Sequence, residues 1–385
     1  MKLNNHTIYI FSDWYVPGFK AGGPIQSVYN LATLLSKTNN VKIITRNTDY
    51  GNTNAFQDIQ SDEWITIAPQ HNVLYLSAKN TSIKTIKSIC LEAKNSPVII
   101  NGIFSFWFSI LPLFYTNTYN CHKIIVAVRG MLHKSALSVK PIKKHIFLAF
   151  ARGFGLYKKS TFLATSEIEK NEIEKILGKV NIKIAPNIPI STIDINEIES
   201  KSFKNSDNEL RLLFLGRISP EKNPLTVLQV LQVIKYPVSI TFIGSSIDSN
   251  YQMQFEDGLK KLPSNVKHTW IKELPHQEIT TIFKQTDVMV LPSLGENFGH
   301  AIFESFANAV PVIIGNNTPW RDIEQNNGGI EVKPNDIEGI FTAISLFNNM
   351  TNQSYKIWQL GALNIAQSYF EHTNFETAYT SILEN

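Results

Sequence analysis

Short apolar runs rich in β-branched residues recur along the chain, with helical patterns between them. In the first half these runs are Thr7–Phe11, Val41–Thr45, Val98–Ile100, Lys123–Val128 and Thr161–Ala164. In the second half they are Leu212–Leu215, Val238–Ile243, Val266–Trp270, Val288–Leu291 and Val310–Ile314. Because each run is nearly continuous rather than alternating, the pattern indicates parallel strands covered on both faces. Strand–helix alternation in both halves predicts an α/β fold with two doubly wound, Rossmann-like domains.

A polar stretch without a strong apolar period, residues 191–209, separates the two halves and is the expected linker. The expected domains are therefore residues 1–190 and 210–360, which suits a chain of 385 residues. The last stretch, Tyr355–Leu383, has the period of one or two helices.

One apolar stretch, Val98–Tyr115, resembles a membrane span in length and hydropathy. It is interrupted by polar or helix-breaking residues: Asn101, Gly102, Ser105, Ser109 and Pro112. We therefore expect a buried strand and a short following segment instead. The polar start is not a signal peptide, and the two cysteines, Cys90 and Cys121, show no metal-ligand spacing and cannot form a disulfide framework. These features favour a reducing, cytoplasmic compartment.

Charge is distributed unevenly along the chain. The net charge of +4 combines 22 basic and 10 acidic residues before position 191 with 14 basic and 22 acidic residues after it. Within residues 79–160, 13 basic residues accompany a single acid, Glu92. Such a block predicts a polyanionic partner surface. No recognised nucleic-acid motif accompanies it, so nucleic acid is not the expected partner.

Three segments carry candidate chemistry, each directly after a predicted strand. The first is a Gly22-Gly23-Pro24 turn before a helix, whose N-terminus could bind an anion or a polar ligand. The second is LFLGRISPEKN, in which Gly216 ends a strand and Arg217 and Lys222 supply two positive charges suited to a diphosphate. A plain glycine turn and a solvated basic loop are the structural alternatives for these two segments.

The third segment, LPSLGENFGHAIFE, is the most specific. Glu296 lies in the loop after the strand, and Glu304 falls in the second turn of the helix that starts near His300. Carboxylates accept hydrogen bonds from sugar and ribose hydroxyls, and the helix N-terminus presents N–H groups to the same crevice. A surface carboxylate favoured by the helix dipole is the alternative for Glu304.

These motifs together resemble the large retaining glycosyltransferase family 4 of the GT-B type, which includes many bacterial polysaccharide enzymes. The resemblance runs along nearly the whole chain. It implies two Rossmann-like domains facing a cleft, with a final helix, 361–385, packing back on the first domain. It also implies retaining transfer of a hexose from a nucleotide diphosphate sugar, with a UDP-sugar as the expected donor, to a saccharide acceptor. Neither a metal ion nor another cofactor is implied.

The resemblance also assigns roles. Arg217 and Lys222 bind the diphosphate, Glu296 lies by the donor sugar, and Glu304 binds the ribose. The catalytic residues are expected to be Arg217, Lys222 and Glu296, and the donor-binding residues Gly22, Gly23, Gly216, Asn297, Phe298, Gly299, His300 and Glu304.

The sequence departs from the family pattern at several positions. Asn297 replaces a usual glycine, and the family histidine near the donor sugar has no clear counterpart. Arg129 and His133 are the candidates for that sugar site. Trp320, after another strand, could border the donor site or simply pack in the core.

A basic segment, Pro141–Lys159, has apolar residues near helical spacing. It suits an interfacial helix on an anionic membrane, although a helix with its apolar side on the core gives the same pattern. The expected membrane-facing residues are Lys143, Lys144, Phe147, Phe150, Arg152, Lys158 and Lys159. A lipid-linked saccharide acceptor and peripheral association with the inner face of the cytoplasmic membrane would follow, as in O-antigen or capsule synthesis.

Other functions remain open at this point. A nucleotide-sugar epimerase or a sugar phosphorylase could use the same scaffold, and so could a non-catalytic nucleotide-sugar-binding protein at a membrane, because fold alone does not decide function.

Overall fold

The protein, seen as a computed structural model, is described for residues 6–133, 136–137, 141–189, 203, 208–246 and 248–384. The chain forms two compact units. Unit 1 comprises Met1–Ile188 with Asn374–Asn385, and unit 2 comprises Pro189–Thr373. Most of the predicted linker, 191–209, lies outside the described residues.

Unit 1 is built on an eight-stranded sheet. Its strands are β1 (Thr7–Ser12), β2 (Asn40–Arg46), β3 (Trp64–Ala68), β4 (His71–Leu76), β5 (Pro97–Asn101), β6 (Lys123–Ala127), β7 (Ser160–Ala164) and β8 (Asn181–Ile184). Their spatial order is β3-β4-β2-β1-β5-β6-β7-β8. Every neighbouring pair is parallel except β3 with β4. The chain turns to opposite sides of β1, so the carboxyl ends of β1 and β5 flank the switch point.

Helices cover this sheet. They are α1 (Gly23–Leu35), α2 (Ile83–Glu92), α3 (Leu111–Thr118), α4 (Pro141–Gly153), α5 (Glu167–Leu177) and the last helix, α12 (Phe375–Glu384). Serine side chains, Ser82 and Ser166, accept N–H hydrogen bonds at the starts of α2 and α5, as caps do. The apolar stretch Val98–Tyr115 divides into β5, a π-helical turn and most of α3. Within the described ranges, no helix is long and apolar enough to cross a bilayer.

The last helix, α12, completes the core of unit 1. Tyr379 and Ile382 are buried with Ile8 and Ile10 of the central strand. The Tyr379 hydroxyl donates to the carbonyl of Pro186, and Lys183 Nζ donates to the carbonyl of Ser381. The chain rejoins unit 1 at Asn374, later than the boundary of 361 expected from the sequence, because one continuous helix runs through that position.

Unit 2 is built on a six-stranded sheet that is parallel throughout. Its strands are β9 (Leu210–Leu215), β10 (Val238–Ile243), β11 (Val266–Ile271), β12 (Val288–Leu291), β13 (Val312–Gly315) and β14 (Gly329–Val332). Its helices are α6 (Pro224–Val233), α7 (Ser249–Lys260), α8 (His276–Lys284), α9 (His300–Ala307), α10 (Ile337–Asn348) and α11 (Asn352–Glu371).

The strand order of unit 2, β11-β10-β9-β12-β13-β14, places a switch point between β9 and β12. Ligands of open α/β sheets bind outside the carboxyl ends of strands at such a point. Two of the sequence motifs follow these same two strands. At the opposite edge, Arg211 binds the fully buried carboxylate of Asp287 through two nitrogens, at 2.7 and 3.0 Å. This pair joins β9 to the segment entering β12.

Candidate functional site

The loop after β9 begins at a close approach of two backbones. Gly216 N donates to the carbonyl of Ile243 at 2.9 Å. Gly244, just after β10, has φ +139°, and a Cβ there would lie 2.1 Å from the Gly216 carbonyl oxygen. A Cβ on Gly216 itself would meet Lys222 and Leu291 only at ordinary contact distances. The glycine that this geometry requires is therefore Gly244, which the sequence analysis did not select.

Lys222 and Glu296 form an ion pair at the switch point of unit 2. The Lys222 Nζ lies 2.5 Å from Glu296 Oε1, and both side chains are mostly buried. The Ser293 hydroxyl donates to the same oxygen at 2.7 Å. Glu296 therefore orients the lysine ammonium, which has three donors and can bind a further anion. Ser293 stands three positions before Glu296, and only the structure shows its contact.

Arg217 supplies the second positive charge beside this pair. Its guanidinium contacts the carboxylate of Glu221 at 3.2 Å, and both side chains are about one-third exposed. The Glu221 carbonyl accepts from Leu294 N, which ties this loop to the one after β12. The structure thus brings both expected cations and Glu296 to one edge of the sheet.

Asn223 holds three strand-end loops together. It is buried, begins α6 in a left-handed conformation (φ +61°), and its side-chain amide donates to the carbonyls of Pro292 and Pro334 and to Asn335 Oδ1. Its Oδ1 accepts from the Thr226 hydroxyl. One side chain therefore fixes the loops after β9, β12 and β14. The asparagine that ends the motif PEKN is a positioning residue that the sequence analysis did not single out.

The N-terminus of α9 lies in the same loop region. Its cap, Gly299, is left-handed (φ +79°), and among the described residues no side chain caps the helix. An uncapped N-terminus favours an anion or a polar ligand. Asn297 and His300 are half-exposed near it, and Glu304 follows one turn later, also half-buried.

Trp320 supports this loop through a hydrogen bond and ring packing. Its indole N–H donates to the carbonyl of Phe298 at 2.5 Å, and its ring packs against those of Phe298, Phe303 and Tyr369. Trp320 is buried, so it supports the structure of the loop rather than offering an exposed surface to a ligand. Phe298 is buried too, which leaves its backbone as the part that can reach a ligand.

In unit 1, the Gly22-Gly23-Pro24 turn starts α1. Gly22 is exposed and left-handed (φ +68°), and a Cβ on it would meet nothing within 4 Å. Asp49 anchors the preceding loop, because its carboxylate accepts from the backbone N–H groups of Phe19 and Lys20. The turn is thus held in place while its glycine surface stays open.

Arg129 and His133 have different surroundings. Arg129, two residues after the end of β6, is buried and hydrogen-bonded to Asn101. His133 Nε2 lies 3.6 Å from the carboxylate of Glu172 on α5. Burial raises the pKa of Glu172, and the nearby His133 opposes that rise. Only Arg129 stands directly at the carboxyl edge of the unit 1 sheet.

Helix α4 carries an exposed apolar stripe. Its members lie four residues apart and expose 57 to 75% of their surface: Ile142, Ile146 and Phe150 on the helix, and Phe154 directly after its end. Lys143, Arg152, Lys158 and Lys159 are exposed around it. Two expected membrane-facing residues point elsewhere. Phe147 packs against the Phe104 ring, and Lys144 donates to the carbonyl of Ala136 while lying over that ring.

Across the part of the chain that the structure describes, no group of three or more His, Cys, Asp or Glu side chains could hold a metal ion. The two cysteines are buried, and burial raises the pKa of both thiols, which makes them unreactive.

Comparison with known sequences matches residues 195–358 to the family model of glycosyl transferases group 1. The O-antigen chain mannosyltransferase RfbU of Salmonella typhimurium is 25% identical over 42% of this chain and 47% of its own length. An Escherichia coli UDP-Gal:alpha-D-GlcNAc-diphosphoundecaprenol alpha-1,3-galactosyltransferase is 27% identical over 40% of each chain. The matched part of the chain thus spans less than half the length of these two relatives.

Comparison with solved structures covers nearly the whole chain. The Anabaena protein HepE, solved with UDP and glucose, has a TM-score of 0.70 at 14% identity, covering 98% of both chains. Sucrose-phosphate synthase from Thermosynechococcus elongatus has a TM-score of 0.65 at 16% identity, covering 95% of this chain and 98% of its own. At such identities the likeness shows the fold alone, which is the GT-B fold with two Rossmann-like domains. The predicted fold class is confirmed.

Proposed function

Because residues 195–358 match the family model of glycosyl transferases group 1, we propose that this protein is a retaining glycosyltransferase. It moves a hexose from a nucleotide diphosphate sugar to a hydroxyl of a saccharide. The observation that carries this proposal is the Lys222–Glu296 ion pair beside Arg217 at the switch point of unit 2. Two cations and an uncapped helix N-terminus at one sheet edge suit a donor diphosphate.

The proposed chemistry uses these charges on the leaving group. An acceptor hydroxyl forms a bond to the anomeric carbon on the face from which the nucleoside diphosphate departs. The bond from that carbon to the phosphate oxygen breaks, and the hydroxyl proton passes to the leaving phosphate. Arg217 and Lys222 offset the negative charge that develops there, which lowers the barrier more than it stabilises the ground state. Attack on the leaving-group face retains the anomeric configuration.

UDP is the proposed nucleotide carrier. The HepE structure contains UDP and glucose, and the name of the Escherichia coli relative specifies UDP-Gal as donor. Glu304, one turn into α9, is the carboxylate that would accept from the ribose hydroxyls. Arg217 and Lys222 would replace a metal ion in balancing the diphosphate charge, so we propose that transfer is metal-independent. Unchanged rates in excess chelator would support this part, and loss of activity restored by magnesium or manganese would refute it.

The proposed acceptor is a lipid-linked saccharide at the inner face of the cytoplasmic membrane, as in bacterial surface-polysaccharide synthesis. Two observations support it. The Salmonella typhimurium and Escherichia coli relatives are named for an O-antigen chain and for a diphosphoundecaprenol-linked sugar. Helix α4 also exposes an apolar stripe beside Lys143 and Lys158, an arrangement that suits an anionic bilayer surface.

A donor panel tests the proposal. The purified full-length chain would be incubated with UDP-, GDP- and ADP-hexoses, with and without a prenyl-diphosphate-linked sugar, and products followed by mass spectrometry and NMR. Transfer that needs the acceptor and keeps the donor anomer supports the proposal. Isomerisation of the donor without acceptor would indicate an epimerase. A requirement for inorganic phosphate would indicate a phosphorylase. Donor binding without transfer or hydrolysis would indicate a non-catalytic protein. Each of these three results overturns the proposal.

A further inference from the structure

A buried arginine lies at the carboxyl edge of the unit 1 sheet, and none of the described residues forms an ion pair with it. Arg129 is 8% exposed. Its Nε donates to Asn101 Oδ1 at 3.0 Å, and its Nη1 donates to Asn187 Oδ1 at 2.5 Å. Its Nη2 is buried and has no hydrogen-bond partner among the described residues. The partners of Nε and Nη1 are therefore two neutral amides.

The acids of this region are engaged elsewhere. Glu169, which is buried, accepts from Gly130 N with one oxygen and from Thr165 N and Oγ1 with the other. Within the described ranges no carboxylate comes within ion-pair distance of Arg129. The Tyr379 hydroxyl of α12 donates to the carbonyl of Pro186. Burial raises the pKa of this tyrosine, and the charge of Arg129 and a hydrogen bond with its side chain oppose that rise, so Tyr379 is a further neutral neighbour of the guanidinium.

The backbone places the side chain in this position at a cost. Arg129 has φ +54°, in the left-handed region that residues with a side chain rarely adopt. Backbone strain of this kind is typically retained at ligand sites. A buried charge without a counterion is also unfavourable, and it becomes favourable when an anion supplies the missing charge.

The neighbours of Arg129 locate it at a ligand-binding edge. Asn101 ends β5, which flanks the switch point of unit 1, and its Nδ2 lies 3.4 Å from the Ser12 hydroxyl at the end of β1. The two asparagines hold the guanidinium by two of its three nitrogens and leave the third for a ligand. The buried positive charge and the open hydrogen-bonding position of Nη2, at a ligand-binding sheet edge, favour an anion as that ligand.

We propose that Arg129 binds an oxyanion of the acceptor substrate, a phosphate or a carboxylate, through its Nη2, and that Asn101 and Asn187 are positioning residues for it. This rests on the proposed function, which assigns the donor diphosphate to Arg217 and Lys222 of unit 2 and so leaves the other substrate to unit 1. If the oxyanion is a phosphate, a prenyl diphosphate in the acceptor would supply it. If it is a carboxylate, an acidic sugar in the acceptor would supply it.

The decisive variant is Asn101→Asp, which keeps the shape of the side chain and places a carboxylate against the Arg129 Nε. It gives the arginine the counterion that it lacks. The matched control is Asn181→Asp, which adds the same charge at the exposed start of β8, at the amino edge of the same sheet. Calorimetry on full-length protein would measure the Kd of farnesyl diphosphate, glucuronate and UDP, with the thermal midpoint as a check of folding.

We expect Asn101→Asp to weaken binding of farnesyl diphosphate or of glucuronate at least tenfold, and the anion affected identifies the source. UDP affinity in this variant, and all three affinities in Asn181→Asp, should stay within twofold of wild type. Unchanged affinity for both anions, absence of wild-type binding to either, or a loss confined to UDP would overturn the inference. If Asn101→Asp does not fold, Arg129→Gln is judged by the same criteria.

The donor panel keeps the two proposals separate. Sugar transfer by wild type with unchanged anion binding in Asn101→Asp would refute only the role of Arg129. Loss of anion binding in that variant, in a protein that transfers no sugar, would refute only the glycosyltransferase assignment.

Discussion

Lys222 Nζ and Glu296 Oε1 lie 2.5 Å apart, although the two residues are 74 positions apart in the sequence. The pair joins the loop after β9 to the loop after β12. Ser293 holds the same carboxylate oxygen from a fully buried position. The ammonium group is therefore set in place before a donor arrives, and preorganised charge of this kind contributes most to transition-state stabilisation.

Lys222→Met should lower kcat by about 10²- to 10³-fold, the usual loss when one preorganised donor to a developing oxyanion is removed. Initial rates of acceptor-dependent transfer would measure it. Lys260→Met removes a highly exposed lysine, paired with Asp257 on α7, and serves as the control. A loss of less than threefold in Lys222→Met would remove this lysine from the catalytic machinery.

Glu304→Gln should weaken UDP binding by about 10- to 150-fold, since a hydrogen bond to a charged group contributes about 1.5–3 kcal/mol. Calorimetric titration with UDP, and with uracil as a ligand lacking ribose, would test the assignment. Glu338→Gln, an exposed acid in the first turn of α10, is the matched control. Equal affinities of wild type and Glu304→Gln for UDP would show that this carboxylate does not hold the ribose.

Replacing the exposed stripe of α4 should release the protein from anionic membranes. The fourfold variant Ile142→Ser, Ile146→Ser, Phe150→Ser and Phe154→Ser should bind phosphatidylglycerol vesicles more than tenfold more weakly, because each side chain loses apolar burial in the interface. Vesicle co-sedimentation at low salt would measure it.

The control for that experiment replaces exposed apolar residues of unit 2, with Leu346→Ser, Ile357→Ser and Leu360→Ser. These should leave vesicle binding as in wild type. Replacing Lys143, Lys158 and Lys159 with Gln should weaken vesicle binding by about 1 kcal/mol per lysine. The remaining binding should depend less on salt concentration. Retention of vesicle binding by both sets of α4-region variants would refute the membrane proposal.

His71 should make unit 1 sensitive to mild acid. It is almost fully buried, with its Nε2 2.7 Å from the Tyr15 hydroxyl, and burial lowers its pKa from 6.5 to about 4. The unfolded chain therefore binds a proton at a higher pH than the folded protein does. The resulting stability is complete above pH 6.5 and is lost as the pH falls from there towards 4, by about 2 kcal/mol at pH 5.

Urea unfolding at pH 7.5 and pH 5 would measure this effect. His71→Gln keeps an acceptor for Tyr15 without the titration, so its free energy of unfolding should fall by about 2 kcal/mol less than that of wild type between the two pH values. The exposed His122→Gln should behave as wild type does. Parallel pH dependence in wild type and His71→Gln would contradict the prediction.

The sequence predicted the interior strands and overlooked most of the edges. All ten apolar runs lie within or overlap observed strands, because strands covered on both faces have continuous apolar sequences. The strands that were not predicted are β3, β4, β8 and β14. Three of these are edge strands, and of them β3 and β8 have exposed positions. β4 begins with the polar pair His71 and Asn72.

The candidate site was predictable only in part, for a similar reason. Arg217, Lys222 and Glu296 follow recognisable strands, so their meeting at one edge could be expected. The contact of Glu296 with Lys222 depends on which strands are neighbours, and the local sequence does not determine strand order. Gly244 and Asn223 could be assigned only once backbone conformation and distances were known. That no described residue forms an ion pair with Arg129 likewise emerges only from three-dimensional packing.

The burial of Tyr379 and Ile382 in the core of unit 1 has a consequence for biosynthesis. Most of unit 1 precedes unit 2 along the chain, yet two side chains of its interior are synthesised after all of unit 2. The emerging chain can complete unit 2 while unit 1 still lacks α12. During translation, the side chains of β1 and α1 that share a core with Tyr379 and Ile382 lack these two partners until the last helix has been synthesised. The core of unit 1 can therefore be completed only after the whole of unit 2 has been made.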